Sequence, residues 1–176
     1  MRVDRSLASR VREAALLEGD FVLSSGKNSR FYIDKYLFST KPDLLRDLAY
    51  EISSKLPADT QRLAGVELGA VPLVTAVALH GDLSYVIVRK AAKEYGTSNR
   101  IEGRPLEVGE KVALIEDVVT TGAQALRAAE ILEEAGAKVL EILAVLDRRE
   151  ECSAYLGGYP FGALLRMQDL VTGGQD

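Results

Sequence analysis

VALIEDVVTTGAQ, residues 112–124, is the stretch whose reading decides the fold. With Lys111 before them, Val112–Ile115 read as a short buried strand that ends in two adjacent acids, Glu116 and Asp117. Val118 and Val119 follow, then Thr120, Thr121 and Gly122, and Ala123 and Gln124 open a helix. A helix mouth carries backbone N–H groups with no helical partner and the positive end of the helix dipole. Beside threonine hydroxyls and a glycine, it forms a cradle for phosphate. The carboxylates cannot hold that phosphate, because like charges repel, but they can hold hydroxyls or a metal. A ligand with a phosphate at one end and sugar hydroxyls nearby, such as ribose 5-phosphate, satisfies both halves. The two common nucleotide fingerprints, G-x-x-x-x-G-K-[ST] and G-x-G-x-x-G, are absent from this stretch. The plainer alternative makes a threonine the cap of a helix over 123–135 and leaves the acids on the surface. A buried strand leading directly into both acids argues against it.

Outward from this stretch, strands and helices alternate. Leu63–Leu68 reads as a strand, followed by a helix over Val71–Leu79 opened by Pro72. Ser84–Val88 is the next strand, and residues 89–109, with three glycines and one proline, read as a long loop. Leu126, Ala129 and Leu132 share one face of the helix over 123–135, which stops at Gly136. Lys138–Leu146 is almost continuously aliphatic, as expected of a strand covered on both faces. Phe161–Leu165 is a last strand, with a short helix after it. Upstream, residues 4–17 carry helical spacing with Asp4 as a candidate N-cap. Phe21–Leu23 and Phe31–Ile33 suggest short strands about a turn at Ser25–Asn28. Thr40, Pro42 and Asp43 mark the start of a helix whose stripe is Leu44, Leu45, Leu48, Ala49 and Ile52. The pattern predicts an α/β fold with a mainly parallel twisted sheet flanked by helices and right-handed crossovers. Ligands bind such sheets beyond the carboxyl ends of the strands.

Composition narrows the function. The 176 residues fit one domain, and 47% hydrophobic with 27% charged residues is an ordinary globular balance. A net charge of −4 gives no general attraction to nucleic acid or anionic membrane. Cys152 is the only cysteine and His80 the only histidine, which excludes an intramolecular disulfide and argues against a zinc cage or a Ser-His-Asp triad. No apolar run approaches the roughly 20 residues of a membrane span. A cytoplasmic protein is expected, with no nucleic-acid or membrane partner.

The segments after Leu68 and Val88 emerge at the same sheet edge as the one after Ile115, and two further stretches carry polar groups. YVIVRKAAKEYGTSNRIEG, residues 85–103, delivers Arg89, Lys90 and Lys93, with Gly96 and Gly103 bracketing a polar loop. Three cations at an active-site edge suit a polyanion, although a solvated basic loop is as good a reading of that stretch alone. FVLSSGKNSRFYIDK (21–35) reads by itself as a hairpin, and GVELGAVPL (65–73) as a small-residue turn through which backbone N–H groups can approach an anion. LAVLDRRE (143–150) ends a buried strand in Asp147 and Arg148. A guanidinium there suits a planar carboxylate through two parallel hydrogen bonds.

The E-D-x-x-T-T-G block resembles the phosphoribosyl pyrophosphate motif of type I phosphoribosyltransferases. The R-K-x-x-K-x-Y-G loop and the S-G-x-x-S block are similar to those of the orotate phosphoribosyltransferases among them. The resemblance runs from about Phe21 to Arg148. It implies one domain over 1–176: an N-terminal helix and small hood in 1–40, a core sheet in 60–150 and a mobile catalytic loop in 89–104. It implies transfer of the phosphoribosyl group from phosphoribosyl pyrophosphate to orotate, in UMP biosynthesis. Glu116 and Asp117 would hold the ribose hydroxyls, and Val118, Val119, Thr120, Thr121, Gly122, Ala123 and Gln124 would wrap the 5-phosphate. Arg89, Lys90 and Lys93 would bind pyrophosphate, with Lys90 and Lys93 joining the two acids as the catalytic set. Thr120 and Arg148 would hold orotate. Mg²⁺ would be carried mainly by substrate and water, without a dedicated protein site, and a homodimer would share loop 89–104 across its interface. Family members often have His where Tyr95 stands, and Lys where Ser24 and Gly69 stand. Lys27 or Arg30 would then take over part of the work of the residue at 24, and the turn at Gly69 would rely on backbone contacts. His80 reads as a helix C-terminal cap. The same fold acting on a purine or uracil, and a non-catalytic regulator that senses phosphoribosyl pyrophosphate, are the alternatives. The first lacks the R-K-x-x-K-x-Y-G loop, and the second calls for a basic surface that a pI near 5.2 does not supply.

Overall fold

Arg62–Val66 and Lys111–Val119 lie side by side at the middle of a seven-stranded sheet, in a computed structural model that describes residues 6–22, 26, 28–91, 100–151 and 153–171. Chain order is α1 (Leu7–Ala15), β1 (Leu16–Val22), β2 (Asn28–Ile33), α2 (Lys35–Ser39), α3 (Pro42–Lys55), β3 (Arg62–Val66), α4 (Val71–Gly81) and β4 (Tyr85–Val88). There follow β5 (Ile101–Glu102), β6 (Lys111–Val119), α5 (Ala123–Glu134), β7 (Lys138–Asp147), β8 (Tyr155–Leu156), β9 (Tyr159–Arg166) and α6 (Met167–Val171). The strand order is β5-β4-β3-β6-β7-β9-β8. All pairs between β4 and β9 are parallel, and the antiparallel β5 and β8 close the two edges. The expected α/β class and parallel core are both present. Among the described residues no helix is long and apolar enough to cross a membrane.

Alternation along the central strands sorts the core into two layers. Ala113, Ile115 and Leu143 face a cluster with α1, α3 and α4, while Val112, Leu114 and Ile142 face α5. Gly65 lets α4 come close, since a Cβ there would lie 2.6 Å from Val74 Cγ1. β1 and β2 form a separate antiparallel hairpin, the expected hood, pairing Leu16 with Ile33 and Val22 with Asn28.

Several boundaries differ from the sequence reading. β6 does not stop at Ile115 but pairs with β7 through Val119, so the acids lie inside the strand rather than beyond it. β3 ends at Val66, and the N-terminal helix at Ala15, where the chain enters the hairpin. Ser6, not Asp4, caps α1, its hydroxyl accepting from Ser9 N at 3.2 Å; Asp4 lies outside the described residues. The helix marked by Pro42 and Asp43 does begin at Pro42, but Lys41 is its cap residue and the Thr40 hydroxyl donates to Tyr36 O. His80 is in the last turn of α4 and packs edge-on to Tyr50 with ring centroids 5.5 Å apart, while Asp82, left-handed at φ 50°, is the cap residue.

Candidate active site

Asp117 of β6 meets its own strand, Lys35 of α2 and the turn after β3. Asp117 Oδ1 accepts from Val118 N at 2.6 Å, and Asp117 Oδ2 lies 2.7 Å from Lys35 Nζ. Lys35 is the first residue of α2, which Asp34 caps by accepting from Tyr36 N. Gly69, in the turn between β3 and α4, lies against both: a Cβ there would be 1.6 Å from Asp117 Oδ2 and 2.8 Å from Lys35 Nζ. Asp117 is 1% exposed and Glu116 5%, so the acids are buried, but their neighbours stand at the carboxyl edge of the sheet.

Burial, and then the charge of Asp117, push the Glu116 carboxyl up to about 8, with Lys35 and Lys90 pulling it partly back. Its Oε2 has no hydrogen-bond partner among the described residues. Burial works against the Lys35 ammonium, but the approach and charge of Asp117 outweigh it, and Lys35 is held above its ordinary value. A consequence can be measured. An acid whose native pKa is raised takes up its proton in the folded state, so its contribution to stability is lost as pH rises from the unfolded value toward the native one. The melting temperature of Glu116→Gln minus that of the unaltered protein should therefore climb from the ordinary 4.5 to about 8 and level off above. A difference that stays flat with pH would show Glu116 ionising normally.

Beyond the acids, Thr120, Thr121, Ala123 and Gln124 are exposed at the mouth of α5. Gly122 is the N-cap, at φ +83°, and makes no side-chain cap bond. A Cβ at Gly122 would also strike Leu156 Cδ1 at 2.3 Å, so glycine is needed both for the turn and for the contact. Thr121 Oγ1 accepts from Ala123 N at 3.3 Å, a local bond that leaves the rest of the first turn open. The Val118 and Val119 side chains belong to the core, and only their backbone could reach a ligand.

Arg148 leaves the end of β7 half-buried, with no hydrogen-bond partner for its guanidinium among the described residues. Burial holds it below the ordinary arginine value, with Tyr32 of the hairpin partly opposing. Its neighbour Arg149 is fully engaged, with Asp147 at 2.9 and 3.0 Å, Ser153 O at 2.9 Å, Tyr155 O at 3.1 Å and the Phe161 ring below. One arginine is structural and the other is available.

The basic stretch leaves β4 toward α5. Arg89 N donates to Arg100 O at 2.8 Å, Lys90 N to Glu67 Oε1 at 2.7 Å, and Arg100 Nη2 to Lys90 O at 3.1 Å. Arg89, Lys90, Arg100, Gln124 and Arg127 border a cavity of about 310 Å³ between β4 and the mouth of α5. Lys93, Tyr95 and Gly96 lie outside the described residues, as do Ser24 and Lys27. The structure thus brings together Glu116, Asp117, Thr120–Gln124, Arg89, Lys90 and Arg148. It adds Lys35, Glu67 and Arg100, which the sequence reading did not select.

Paired acids running into an open helix mouth, at the carboxyl edge of a parallel sheet, are the arrangement expected of the phosphoribosyltransferase class. Residues 40–154 match the family model described as phosphoribosyl transferase domain. The orotate phosphoribosyltransferase of Halobacterium salinarum is 45% identical over 174 residues, covering 97% of this chain and 98% of that protein. The crystal structure of orotate phosphoribosyltransferase from Aeropyrum pernix superposes with a TM-score of 0.82 at 29% identity, over 96% of this chain and 97% of that one. That of Mycobacterium tuberculosis, in complex with 5-phospho-α-D-ribosyl 1-diphosphate, gives 0.71 at 28% identity, over 93% and 96%. The chain belongs to the orotate phosphoribosyltransferase family.

Proposed function

We propose that the protein transfers the 5-phosphoribosyl group of phosphoribosyl pyrophosphate to orotate, giving orotidine 5′-monophosphate and pyrophosphate, a step of UMP biosynthesis. One observation carries this reading: β6 places buried Glu116 and Asp117 two residues before the open mouth at Thr120–Gln124, and at the end of the adjacent strand the Arg148 guanidinium has no hydrogen-bond partner among the described residues. Phosphate, sugar and base carboxylate each have a counterpart.

In the proposed step the bond from the anomeric carbon to pyrophosphate breaks as orotate N1 bonds to that carbon, through a state resembling a sugar cation. No covalent enzyme intermediate is required, and the protein positions groups and stabilises charge. The mouth of α5 holds the 5-phosphate. Glu116 and Asp117 orient the ribose hydroxyls, and the Asp117 charge favours the developing cation. Arg89, Lys90 and Lys93 receive the departing pyrophosphate, and Thr120 and Arg148 hold orotate. The donors fit a Mg²⁺ that arrives with the substrate, because carboxylate oxygens are hard ligands and Glu116 Oε2 has no hydrogen-bond partner among the described residues. When bound, the ion would be held mainly by substrate and water and would offset charge on the pyrophosphate, with Glu116 and Asp117 the carboxylates that could assist in holding it. We further propose a cytoplasmic homodimer that shares loop 89–104, in keeping with the globular composition and with exposed Tyr36 and Leu37 on α2.

Incubation with Mg²⁺, phosphoribosyl pyrophosphate and orotate should deplete orotate absorbance, and parallel tubes with uracil, hypoxanthine or adenine should show no turnover. Turnover of one of those bases instead would reassign the substrate, and turnover of none would sink the reading. Arg148→Ala should raise the KM for orotate roughly 10- to 100-fold, the loss of charge-assisted hydrogen bonds worth about 1.5–3 kcal/mol. The KM for phosphoribosyl pyrophosphate should change far less; an equal rise in both would place Arg148 elsewhere.

A further inference from the structure

Lys35 belongs to none of the phosphate- or base-binding groups above, yet its ammonium is 2.7 Å from the acid that faces the sugar. Its side chain is 32% exposed against 1% for Asp117, so the cation covers the solvent side of the carboxylate. Gly69 makes the room for this meeting, since a Cβ at that position would collide with the carboxylate and crowd the ammonium. The contact is an ion pair by distance, but Asp117 Oδ2 is not met in hydrogen-bond geometry. An ammonium has three donors, so Lys35 can keep one on Asp117 and offer others to a second anion. The turn after β3 provides backbone beside it. A ribose whose hydroxyls reached Asp117 would lie beside this ammonium, with the group on its anomeric carbon on the same side of the site.

We propose that Lys35 binds the diphosphate of phosphoribosyl pyrophosphate, giving up part of its pairing with Asp117 as the ribose hydroxyls take over the carboxylate. The assignment rests on the transferase reading and adds to it a ligand from the N-terminal hood. Such an exchange keeps Asp117 compensated before and after the substrate enters, which matters because an unpaired buried carboxylate is costly. It also makes Asp117 and Lys35 competitors in the free protein. A diphosphate must draw the cation away from its internal partner.

That competition supplies the test. Pyrophosphate with Mg²⁺, and separately ribose 5-phosphate, are titrated calorimetrically into the full chain and three variants, with melting temperatures recorded for each. Asp117→Asn releases the ammonium and should tighten pyrophosphate several-fold. The charge-neutral pair Lys35→Gln with Asp117→Asn, which leaves neither charge unpaired, should bind pyrophosphate about tenfold more weakly than Asp117→Asn alone, as for one charge-assisted bond. Lys35→Arg should stay within about threefold of the unaltered protein, since its charge is kept. Equal pyrophosphate affinity in Asp117→Asn and the double variant would overturn the proposal. So would a loss that is equally large for ribose 5-phosphate, which would leave Lys35 a general cation of the site and not a ligand of the diphosphate. If the unaltered protein turns over orotate while these titrations show no role for the cation, only the Lys35 assignment falls. If it turns over no base, the transferase reading itself fails.

Discussion

Asp117→Asn should lower turnover by about two to three powers of ten, the usual loss when one preorganised charge is removed from a developing transition state. The substitution removes the negative charge beside the proposed sugar cation and leaves the Lys35 ammonium there uncompensated, so two electrostatic effects act in the same direction. Folding should suffer much less. An asparagine keeps an oxygen to accept from Val118 N, and the one-third-exposed Lys35 can turn to water. A loss on the order of 1 kcal/mol is expected, a shift of a few degrees in melting temperature. Turnover and thermal unfolding measured on the same preparation separate the two effects. Unchanged turnover would remove Asp117 from the chemistry.

The largest loss of stability should come from Arg62→Ala, at the other end of the same two strands. Arg62 is 1% exposed and donates from Nε and Nη2 to Glu110 Oε1 at 2.9 and 2.7 Å, while Glu110 Oε2 accepts from Glu107 N at 2.9 Å. Truncating the arginine strands a buried carboxylate, at about 3–5 kcal/mol. Replacing both residues with apolar ones of similar volume should be near neutral, as for other buried pairs. Burial pushes the Glu110 carboxyl up, but the Glu107 amide and the Arg62 charge outweigh it and hold it below its ordinary value. A depressed native pKa means stability that is present above the unfolded value and lost as pH falls through the native one. The unaltered protein should therefore weaken below the ordinary 4.5, and Arg62→Ala should show a smaller acid dependence. Urea unfolding at pH 7 and in acid reads both. A loss under 1 kcal/mol at pH 7 would show that the pair is not the brace its burial suggests.

The parallel core was legible because its strands are covered on both faces and so are written as aliphatic runs; Lys138–Asp147 is the clearest case. The site was legible where neighbours in sequence remain neighbours in space, as along Glu116–Gln124. What failed depends on pairing. Nothing local says that β6 continues through its acids, because the partner strand β7 sustains the ladder to Val119. β1 contains Glu18, Gly19 and Asp20, which break alternation, and it exists because β2 pairs with it across an irregular register. β5 is two residues recruited by the edge of β4. Lys35 could not have been selected either. It ends a block read as a hairpin, and only the folded chain sets it on Asp117. Nothing local in the sequence says that Arg149, beside the Arg148 that the resemblance points to, is bound to Asp147, Ser153 and Tyr155.

Leu156, under the turn at Gly122, belongs to the same stretch that Arg149 clamps to the end of β7. The proposed anchor for the base and the proposed seat for the phosphate thus rest on one shared bracket, which ties the span between them. A bulkier base cannot be admitted by stretching that span. On the proposed reading, a shift in base preference is to be sought on the hairpin side, where Tyr32 lies near Arg148.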